Sequence, residues 1–291
     1  MRPGARSVVA AALLSAACGR GLPGPDADER AALASAARVA PSPSRGCAGV
    51  KPAARAGRRH ALVAGEDRRY IVDVPAAPPD RPLPVVLSFH GFRGSARAQR
   101  WWTGWGALAR REGFIAVHPE GHGGVELLNT TGRGWDIRPE ERRDVAFVRA
   151  ILDTLEDERC VDRRRIFATG MSNGGFFANL LGCELADRLA AVAPVGGALS
   201  LGNCAPARPV PVLLIHGRAD RVVAPAMVRG ARDWWARADS CGDRIDHDGC
   251  ERFTGCAADV IYCEGPQAHR WPGDATARIW RFFRAHPRRE D

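Results

Sequence analysis

The chain has a single lysine, Lys51, and only 2 tyrosines and 3 methionines among its 291 residues. Arginine therefore supplies all but one of the 42 basic residues, and the arginines are scattered along the sequence. Without a basic patch interleaved with aromatic residues, the formal charge of +9 does not indicate a nucleic-acid surface. No internal repeat is visible either. These absences argue against nucleic-acid binding and leave an anionic substrate open.

The chain has no apolar run near its N-terminus long enough to span a membrane. Two arginines instead precede a short apolar run at residues 8–14, and small residues follow, which is typical of an export signal. Cys18 comes next, as in bacterial lipoprotein signals, where the cysteine becomes the lipidated first residue. We expect a signal peptide over residues 1–18, followed either by a lipid anchor at Cys18 or by ordinary secretion.

Two further segments follow the export signal. Residues 19–59 are rich in Ala, Pro, Gly and Arg, a composition that predicts a low-complexity tether with little structure. Residues 60–286 are long enough for one large domain with a well-buried core, although two small domains would also fit this length.

Nine cysteines are many for a cytosolic protein, and eight remain when Cys18 is set aside. An even number in an exported chain predicts disulfides. The favoured pairs are Cys183 with Cys204 and Cys47 with Cys160. A zinc site among the last four cysteines with His247 is the rival interpretation, but these cysteines lack the close spacing of a zinc ribbon or finger. The remaining disulfide candidates are Cys241, Cys250, Cys256 and Cys263.

From residue 60 onward, short apolar runs alternate with helical patterns. Such an order predicts an α/β fold: a single doubly wound, mostly parallel sheet with helices on both faces. The predicted strands are 70–74, 85–89, 114–117, 165–169, 190–194, 210–215 and 260–263. The predicted helices are 98–111, one capped by Asp144, one following residue 173, 227–237 and 275–284.

The segment Gly170-Met171-Ser172-Asn173-Gly174 places a serine between two glycines, after an apolar strand and before an apolar helix. A serine on such a turn is strained, with its hydroxyl lifted clear of the sheet. Side chains two residues to either side would collide, and glycine removes the collision. The pattern predicts that Ser172 is a nucleophile.

A nucleophilic serine needs a base, and the base needs an acid to orient it. In this fold class the acid follows the serine and the histidine comes last. Asp220 stands just after an apolar strand, and His269 lies between the last strand and the last helix. We predict Asp220 as the acid and His269 as the base, whose competitors are His247 and His286.

The oxyanion formed during attack needs two preorganised donors. One is predicted to be the backbone N–H of Asn173, beside the nucleophile at the positive end of its helix. The other is predicted on the loop after strand 85–89, with Phe92 as the donor. For substrate contacts, Trp101, Trp135 and Trp271 are candidates, because an indole can stack on an aromatic or sugar group.

Residues 60–284 resemble the exported esterase family that contains polyhydroxybutyrate depolymerases and type B, C and D feruloyl esterases, which are α/β-hydrolases. The resemblance rests on Phe89-His90-Gly91-Phe92, the turn around Ser172, Ala193-Pro194-Val195-Gly196-Gly197, His216-Gly217 with Asp220, and His269-Arg270-Trp271-Pro272-Gly273. It implies that Ser172, His269 and Asp220 are nucleophile, base and acid, with no metal or cofactor. Relatives usually have glycines where Gln267 and Ala268 stand, which predicts a less open loop.

The resemblance implies a secreted or lipid-anchored, monomeric serine carboxylic ester hydrolase. Its substrate would be an ester linked to polysaccharide or a polyester. The tryptophans, and the lack of a separate polymer-binding module after the last helix, favour feruloyl esters on plant cell-wall polysaccharide over polyhydroxybutyrate. The same scaffold is also compatible with a serine peptidase or with an inactive binding protein.

Overall fold

A computed structural model describes residues 24–48, 56–75, 81–127, 129–138, 143–199, 204–247 and 249–289 of the chain. The expected signal peptide and Cys18 lie outside the described residues. Within these ranges, no helix is both long and apolar enough to cross a membrane.

Strands and helices alternate through most of the chain. The strands are β1 (Gly57–Val63), β2 (Glu66–Asp73), β3 (Leu83–Phe89), β4 (Ile115–Pro119), β5 (His122–Leu127), β6 (Thr130–Gly134), β7 (Val161–Met171), β8 (Ala191–Val195), β9 (Val212–Gly217), β10 (Arg244–His247), β11 (Cys250–Phe253) and β12 (Val260–Gly265). The helices are α1 (Ala27–Ala37), α2 (Ala96–Thr103), α3 (Trp105–Glu112), α4 (Arg143–Glu158), α5 (Asn173–Glu184), α6 (Pro225–Ala238) and α7 (Ala275–Ala285), with a 3-10 helix at Arg45–Ala48.

The main sheet of the described residues has ten strands in the order β1-β2-β4-β3-β7-β8-β9-β12-β11-β10. Its centre, from β4 to β12, is parallel, and antiparallel hairpins extend it at both edges. β3, β4, β8 and β9 are buried along their whole length, as expected of strands covered on both faces. The expected α/β-hydrolase architecture is confirmed.

The prediction of one continuous helix over residues 98–111 is wrong, because the structure has two helices there, α2 and α3. Gly104 separates them with φ 68°, a left-handed conformation that glycine adopts without strain. Asp144 does not cap α4 either. That helix begins one residue earlier, and the buried Asp144 carboxylate instead accepts hydrogen bonds from the Arg68 guanidinium at 2.7 Å and the Asp136 N–H at 2.8 Å.

The prediction of little structure between residues 19 and 59 is wrong for residues 27–37 and 45–48, which are helical. Asp26 caps α1 by accepting the Glu29 N–H at 2.9 Å. The Arg165 guanidinium on β7 holds the end of α1 by donating to the carbonyls of Ala36 and Val39, both at 3.0 Å. Small alanine side chains let α1 pack closely against α7, where the Arg281 guanidinium also donates to the Glu29 carboxylate at 3.1 Å.

Eight cysteines form four disulfides, which include both pairs favoured by the sequence. The bridges are Cys47–Cys160, Cys183–Cys204, Cys241–Cys256 and Cys250–Cys263. The last four cysteines therefore pair with one another. Such a framework indicates that the protein works in an oxidising compartment outside the cytoplasm.

Candidate active site

Ser172 lies at the sharp turn between β7, the fifth strand across the sheet, and α5. Its backbone has φ 56° and ψ −122°, a strained conformation for a residue other than glycine. A Cβ at Gly170 would lie 2.4 Å from the Gly174 carbonyl oxygen, and one at Gly174 would lie 2.4 Å from the Phe89 carbonyl oxygen. The chain can therefore make this turn only with glycine at both positions.

Asp220 and His269 meet above the carboxyl ends of two neighbouring strands. Asp220 follows β9 and His269 follows β12, which pair in parallel. His269 Nδ1 lies 2.6 Å from Asp220 Oδ2, with the Asp220 side chain 1% exposed and the imidazole 18% exposed. The carboxylate fixes the proton on Nδ1 and leaves Nε2 as the basic nitrogen.

Backbone donors hold the Asp220 carboxylate in place. Its Oδ1 accepts the N–H groups of Val222 at 2.8 Å and Val223 at 2.9 Å. Burial alone would raise the pKa of Asp220, but the hydrogen bonds from His269 and from the two N–H groups keep that pKa below its usual 3.8. Asp220 is therefore ionised at neutral pH and can stabilise a protonated His269.

His269 and Ser172 approach the same residue, Gly196. The Ser172 N–H donates to the Val195 carbonyl at 2.9 Å, which fixes the serine turn beside the end of β8. A Cβ on the next residue, Gly196, would lie 3.5 Å from His269 Cε1. The turn and the imidazole thus converge on one edge of the sheet, although they come from loops far apart in sequence.

The loop after β3 touches Ser172 directly. A Cβ at Gly91 would lie only 3.3 Å from the Ser172 Cβ. His90 Nε2 accepts the Gly121 N–H at 2.9 Å, so Nδ1 carries the ring proton and donates to the Gly91 carbonyl at 2.8 Å. Burial lowers the pKa of His90 and keeps the ring neutral, as this pattern requires.

The His90 hydrogen bond sets the direction of the Phe92 N–H. In a trans peptide the C=O and N–H point to opposite sides, so a Gly91 carbonyl held by His90 turns the Phe92 N–H away from that ring. Gly94 N–H donates to the same carbonyl at 2.9 Å and reinforces the orientation. This positioning role of His90 was missed from the sequence, where His90-Gly91 gave only the general position of the loop.

Asn173 is the first residue of α5. Its backbone N–H, like the other N–H groups in the first turn of a helix, has no hydrogen-bond acceptor within that helix. Its side chain has a separate task. Oδ1 accepts the Trp135 N–H at 2.8 Å, and Nδ2 donates to the Trp135 carbonyl at 3.0 Å. The residue that follows the serine is thus tied to the segment after β6, a link that no sequence pattern indicated.

The three tryptophan candidates have different surroundings. The prediction that Trp135 stacks on substrate is wrong, because its ring is fully buried between Phe89 and Phe177 and donates to the His90 carbonyl at 2.8 Å. Trp271 is half-buried and donates to the Thr276 hydroxyl at 3.0 Å. Trp101 is 78% exposed on α2.

A two-stranded hairpin of β5 and β6, which the sequence did not predict, borders the loop after β3. A Cβ at Gly132 would lie 3.0 Å from Phe92 Cζ, and one at Gly134 would lie 3.2 Å from Phe92 Cδ2. The Arg93 N–H also donates to the Arg133 carbonyl at 2.7 Å. The Phe92 ring therefore rests on the glycines of this hairpin.

A cleft of about 870 Å³ lies beyond the other ends of the strands, where the central parallel strands begin. It is lined by Ala190, Pro211 and Asp259, each of which immediately precedes a strand. Ser172, Asp220 and His269 all follow their strands instead. Backbone strain and hydrogen bonding, rather than volume, thus identify the candidate site, as expected for an α/β sheet, which binds ligands beyond the carboxyl ends of its strands.

Comparison with known proteins gives relatives that are esterases. No family model matches the sequence. Feruloyl esterase B of Piromyces equi is 30% identical over 222 residues, which are 66% of this chain and 40% of that protein. Feruloyl esterase D of Neurospora crassa is 29% identical over 277 residues, or 84% of this chain and 91% of that protein.

Coverage of the relatives differs widely. The chain spans less than half the length of the first three curated relatives, at 40%, 21% and 48%. Among solved structures, an acetyl xylan esterase from Aspergillus awamori superimposes with a TM-score of 0.62 at 14% identity. The alignment covers 78% of this chain and 99% of that one, so the fold is shared over most of this chain.

Proposed function

We propose that the chain, which has the α/β-hydrolase fold and is similar to feruloyl esterases, is a serine carboxylic ester hydrolase. Ser172 is the nucleophile, His269 the general base and Asp220 the acid that orients it. The strained backbone of Ser172, at φ 56° between two obligatory glycines, carries this proposal. Strain of this kind is typical of a nucleophile presented above the sheet.

The reaction begins when Ser172 Oγ attacks the ester carbonyl and passes its proton to Nε2 of His269. The carbonyl oxygen becomes negative and is stabilised by the N–H groups of Phe92 and Asn173. The intermediate collapses to an acyl-enzyme as protonated His269 donates its proton to the leaving alcohol. Water, activated by the now neutral His269, then attacks the acyl group and releases the acid and free Ser172.

For the substrate, we propose feruloyl esters attached to plant cell-wall polysaccharide. The names of the relatives support this choice, since they include feruloyl esterases B, C and D and a bifunctional acetylxylan esterase/xylanase. No described feature specifically favours a polyester. We also propose that the catalytic domain acts as a monomer. The sequence predicts this domain over residues 60–286, whereas its first strand, β1, begins at Gly57, and α1 and the 3-10 helix that carries Cys47 pack on its surface.

Covalent inhibition tests the proposal. Phenylmethylsulfonyl fluoride should label Ser172 and abolish hydrolysis of p-nitrophenyl acetate and methyl ferulate, and Ser172→Ala should show neither labelling nor turnover. Ser240→Ala, on an exposed serine after α6, is the control and should behave as wild type. Full activity after quantitative labelling would exclude a serine mechanism at this site.

Substrate preference needs a separate measurement. The ratio of kcat/KM for methyl ferulate to that for a 3-hydroxybutyrate oligomer reports which ester is better stabilised in the transition state. We expect methyl ferulate to be preferred. A preference for the oligomer by about 100-fold, which corresponds to ~2.7 kcal/mol, would assign the protein to polyester instead.

We further propose that Cys18 is lipidated after export. Cys18→Ser should then release a membrane-associated protein into the medium. A wild-type protein found wholly in the medium with an unmodified N-terminus would indicate ordinary secretion.

A further inference from the structure

Two adjacent tryptophans on α2 are the most exposed of the large apolar side chains near the site. Trp101 is 78% and Trp102 70% exposed, whereas Trp105, Trp135 and Trp235 are fully buried. On the same helix, Ala96, Gln99 and Thr103 are buried and face the core. Single exposed apolar side chains are common on protein surfaces, whereas neighbouring large ones often mark an interaction surface.

The position of α2 connects this surface to the candidate active site. Its first turn follows the Phe92 loop and is fixed there, because the Ala96 N–H donates to Glu120 Oε2 at 3.2 Å. At its other end, the Thr103 carbonyl accepts the Thr276 hydroxyl at 2.6 Å, and the Trp271 indole N–H donates to that hydroxyl at 3.0 Å. Since Trp271 is two residues from His269, α2 connects the loop after β3, which carries Phe92, with the loop after β12, which carries His269.

The orientation of α2 is fixed, so the two indoles are held outward. Arg100 makes a bidentate ion pair with the buried Asp73 carboxylate at 2.6 and 2.7 Å. Gln99 Nε2 donates to the Ser88 hydroxyl on β3 at 3.1 Å. These contacts pin the inner face of the helix to the sheet, so Trp101 and Trp102 cannot turn into the core without breaking them.

We propose that Trp101 and Trp102 form a docking platform for a polysaccharide chain, which presents its ester substituent to Ser172. This inference rests on the proposed esterase function and extends it from the reacting ester to the polymer that carries it. An indole face offers a flat, rigid apolar surface that matches the C–H face of a pyranose ring. Arg97, exposed on α2 four residues before Trp101, lies on the same side of the helix and offers hydrogen-bond donors to sugar hydroxyl or carboxylate groups.

The combination of two indoles with the Arg97 guanidinium favours a glycan over a lipid surface or a solid polyester. Helices that bind membranes bury a long apolar face, whereas α2 is 8 residues long and exposes only two large apolar side chains. A sugar ring has apolar C–H faces and hydroxyl groups around its edge, so a protein surface that binds it must offer both apolar contact and hydrogen bonds. The α2 surface supplies both within one short helix.

The test uses Ser172→Ala as the parent, because it binds polymer without cleaving it. In affinity electrophoresis with soluble feruloylated arabinoxylan, adding Trp101→Ala and Trp102→Ala should weaken binding about tenfold. Leu62→Ala removes a 77% exposed apolar side chain from β1 and should leave binding unchanged. Replacing both tryptophans with phenylalanine should restore part of the affinity.

Turnover measurements on the active enzyme separate the platform from the esterase function. With Ser172 intact, the ratio of kcat/KM on feruloylated arabinoxylan to that on methyl ferulate should fall about tenfold in the double alanine variant, mainly through KM. Equal polymer binding by the double variant and Leu62→Ala would overturn the platform, as would wild-type binding to phosphatidylcholine vesicles or polyhydroxybutyrate granules but not to arabinoxylan. Loss of methyl ferulate hydrolysis by phenylmethylsulfonyl fluoride tests the esterase function independently.

Discussion

His269 Nδ1 lies 2.6 Å from Asp220 Oδ2, and the two residues are 49 positions apart in the sequence. The contact joins the loop after β9 to the loop after β12, and it is the one direct hydrogen bond between two proposed catalytic side chains in the described structure. The direction of the basic nitrogen therefore depends on a single carboxylate.

Replacing that carboxylate should disable the base without changing its position. In Asp220→Asn we expect kcat for p-nitrophenyl acetate to fall about 10³ to 10⁴-fold, because an amide favours the wrong imidazole tautomer. Asp67→Asn, at an exposed position on β2, is the control and should retain wild-type activity. More than a tenth of wild-type kcat in Asp220→Asn would mean that another group orients His269.

The same carboxylate should contribute to acid stability. Burial would raise its pKa, but the hydrogen bonds from His269, Val223 and Val222 hold it below 3.8 in the folded protein. A carboxyl group whose pKa is lower in the folded than in the unfolded protein stabilises the fold at pH values above its unfolded-state pKa. That stabilisation is lost as the pH falls through the folded-state pKa. Urea titrations from about pH 6 to pH 2.5 should therefore show a smaller loss of unfolding free energy in Asp220→Asn than in wild type. Parallel curves for the two proteins would contradict the assignment.

His90 should affect catalysis through the peptide it orients. In His90→Ala we expect kcat to fall about 100-fold with a small change in KM, because the Phe92 N–H loses its fixed direction towards the oxyanion. His60→Ala, on the exposed face of β1, should leave kcat unchanged. Thermal unfolding monitored alongside will separate misorientation from unfolding, and a wild-type kcat would show that the peptide is held without the imidazole.

The glycines around Ser172 should tolerate no side chain. A Cβ at Gly174 would lie 2.4 Å from the Phe89 carbonyl oxygen, so Gly174→Ala should lower the free energy of unfolding by about 2 kcal/mol or more and abolish activity. Gly230, inside α6, has no atom within 4 Å of such a position. Gly230→Ala should instead raise stability by about 0.5 to 1 kcal/mol. Chemical denaturation measures both, and equal effects would refute the steric explanation.

The disulfides can be counted by thiol titration. Eight of the nine cysteines are paired, so protein unfolded in guanidinium chloride without reductant should expose at most one thiol. Full reduction should then release eight more. Four or more thiols before reduction would mean that at least two of the bridges do not form.

Sequence reasoning predicted the elements that follow from strong local rules. The Ser172 turn and the apolar central strands rest on patterns confined to a few neighbouring residues, whereas Asp220 and His269 were assigned from their order along the chain in this fold class. Trp135 was assigned wrongly because an indole beside a catalytic loop has the same local sequence whether it faces solvent or the core. Its burial depends on Phe89 in β3 and on Phe177 and Asn173 in α5, two elements distant from Trp135 in the sequence.

The other missed features are also tertiary. α1 lacks a strong apolar face and is held by the distant Arg165 and by α7, so its composition alone resembled a flexible tether. The β5–β6 hairpin carries glycines where Phe92 needs room for its ring. Glycine-rich sequence usually predicts a loop, and only the packed neighbour shows why those positions must be small.

The Cys47–Cys160 bridge enters β7 one residue before its first position, and Ser172 follows its last. The central strand β7 thus has the attachment of the N-terminal segment at its first end and the nucleophile at its last. A protease that cuts the backbone between Ala48 and Gly57 would leave both fragments covalently joined, and they would separate on a gel only after reduction. Tension applied to the N-terminal segment would likewise pass through the sulfur bridge into the middle of the sheet, so the edge strand β1 would not be peeled away first.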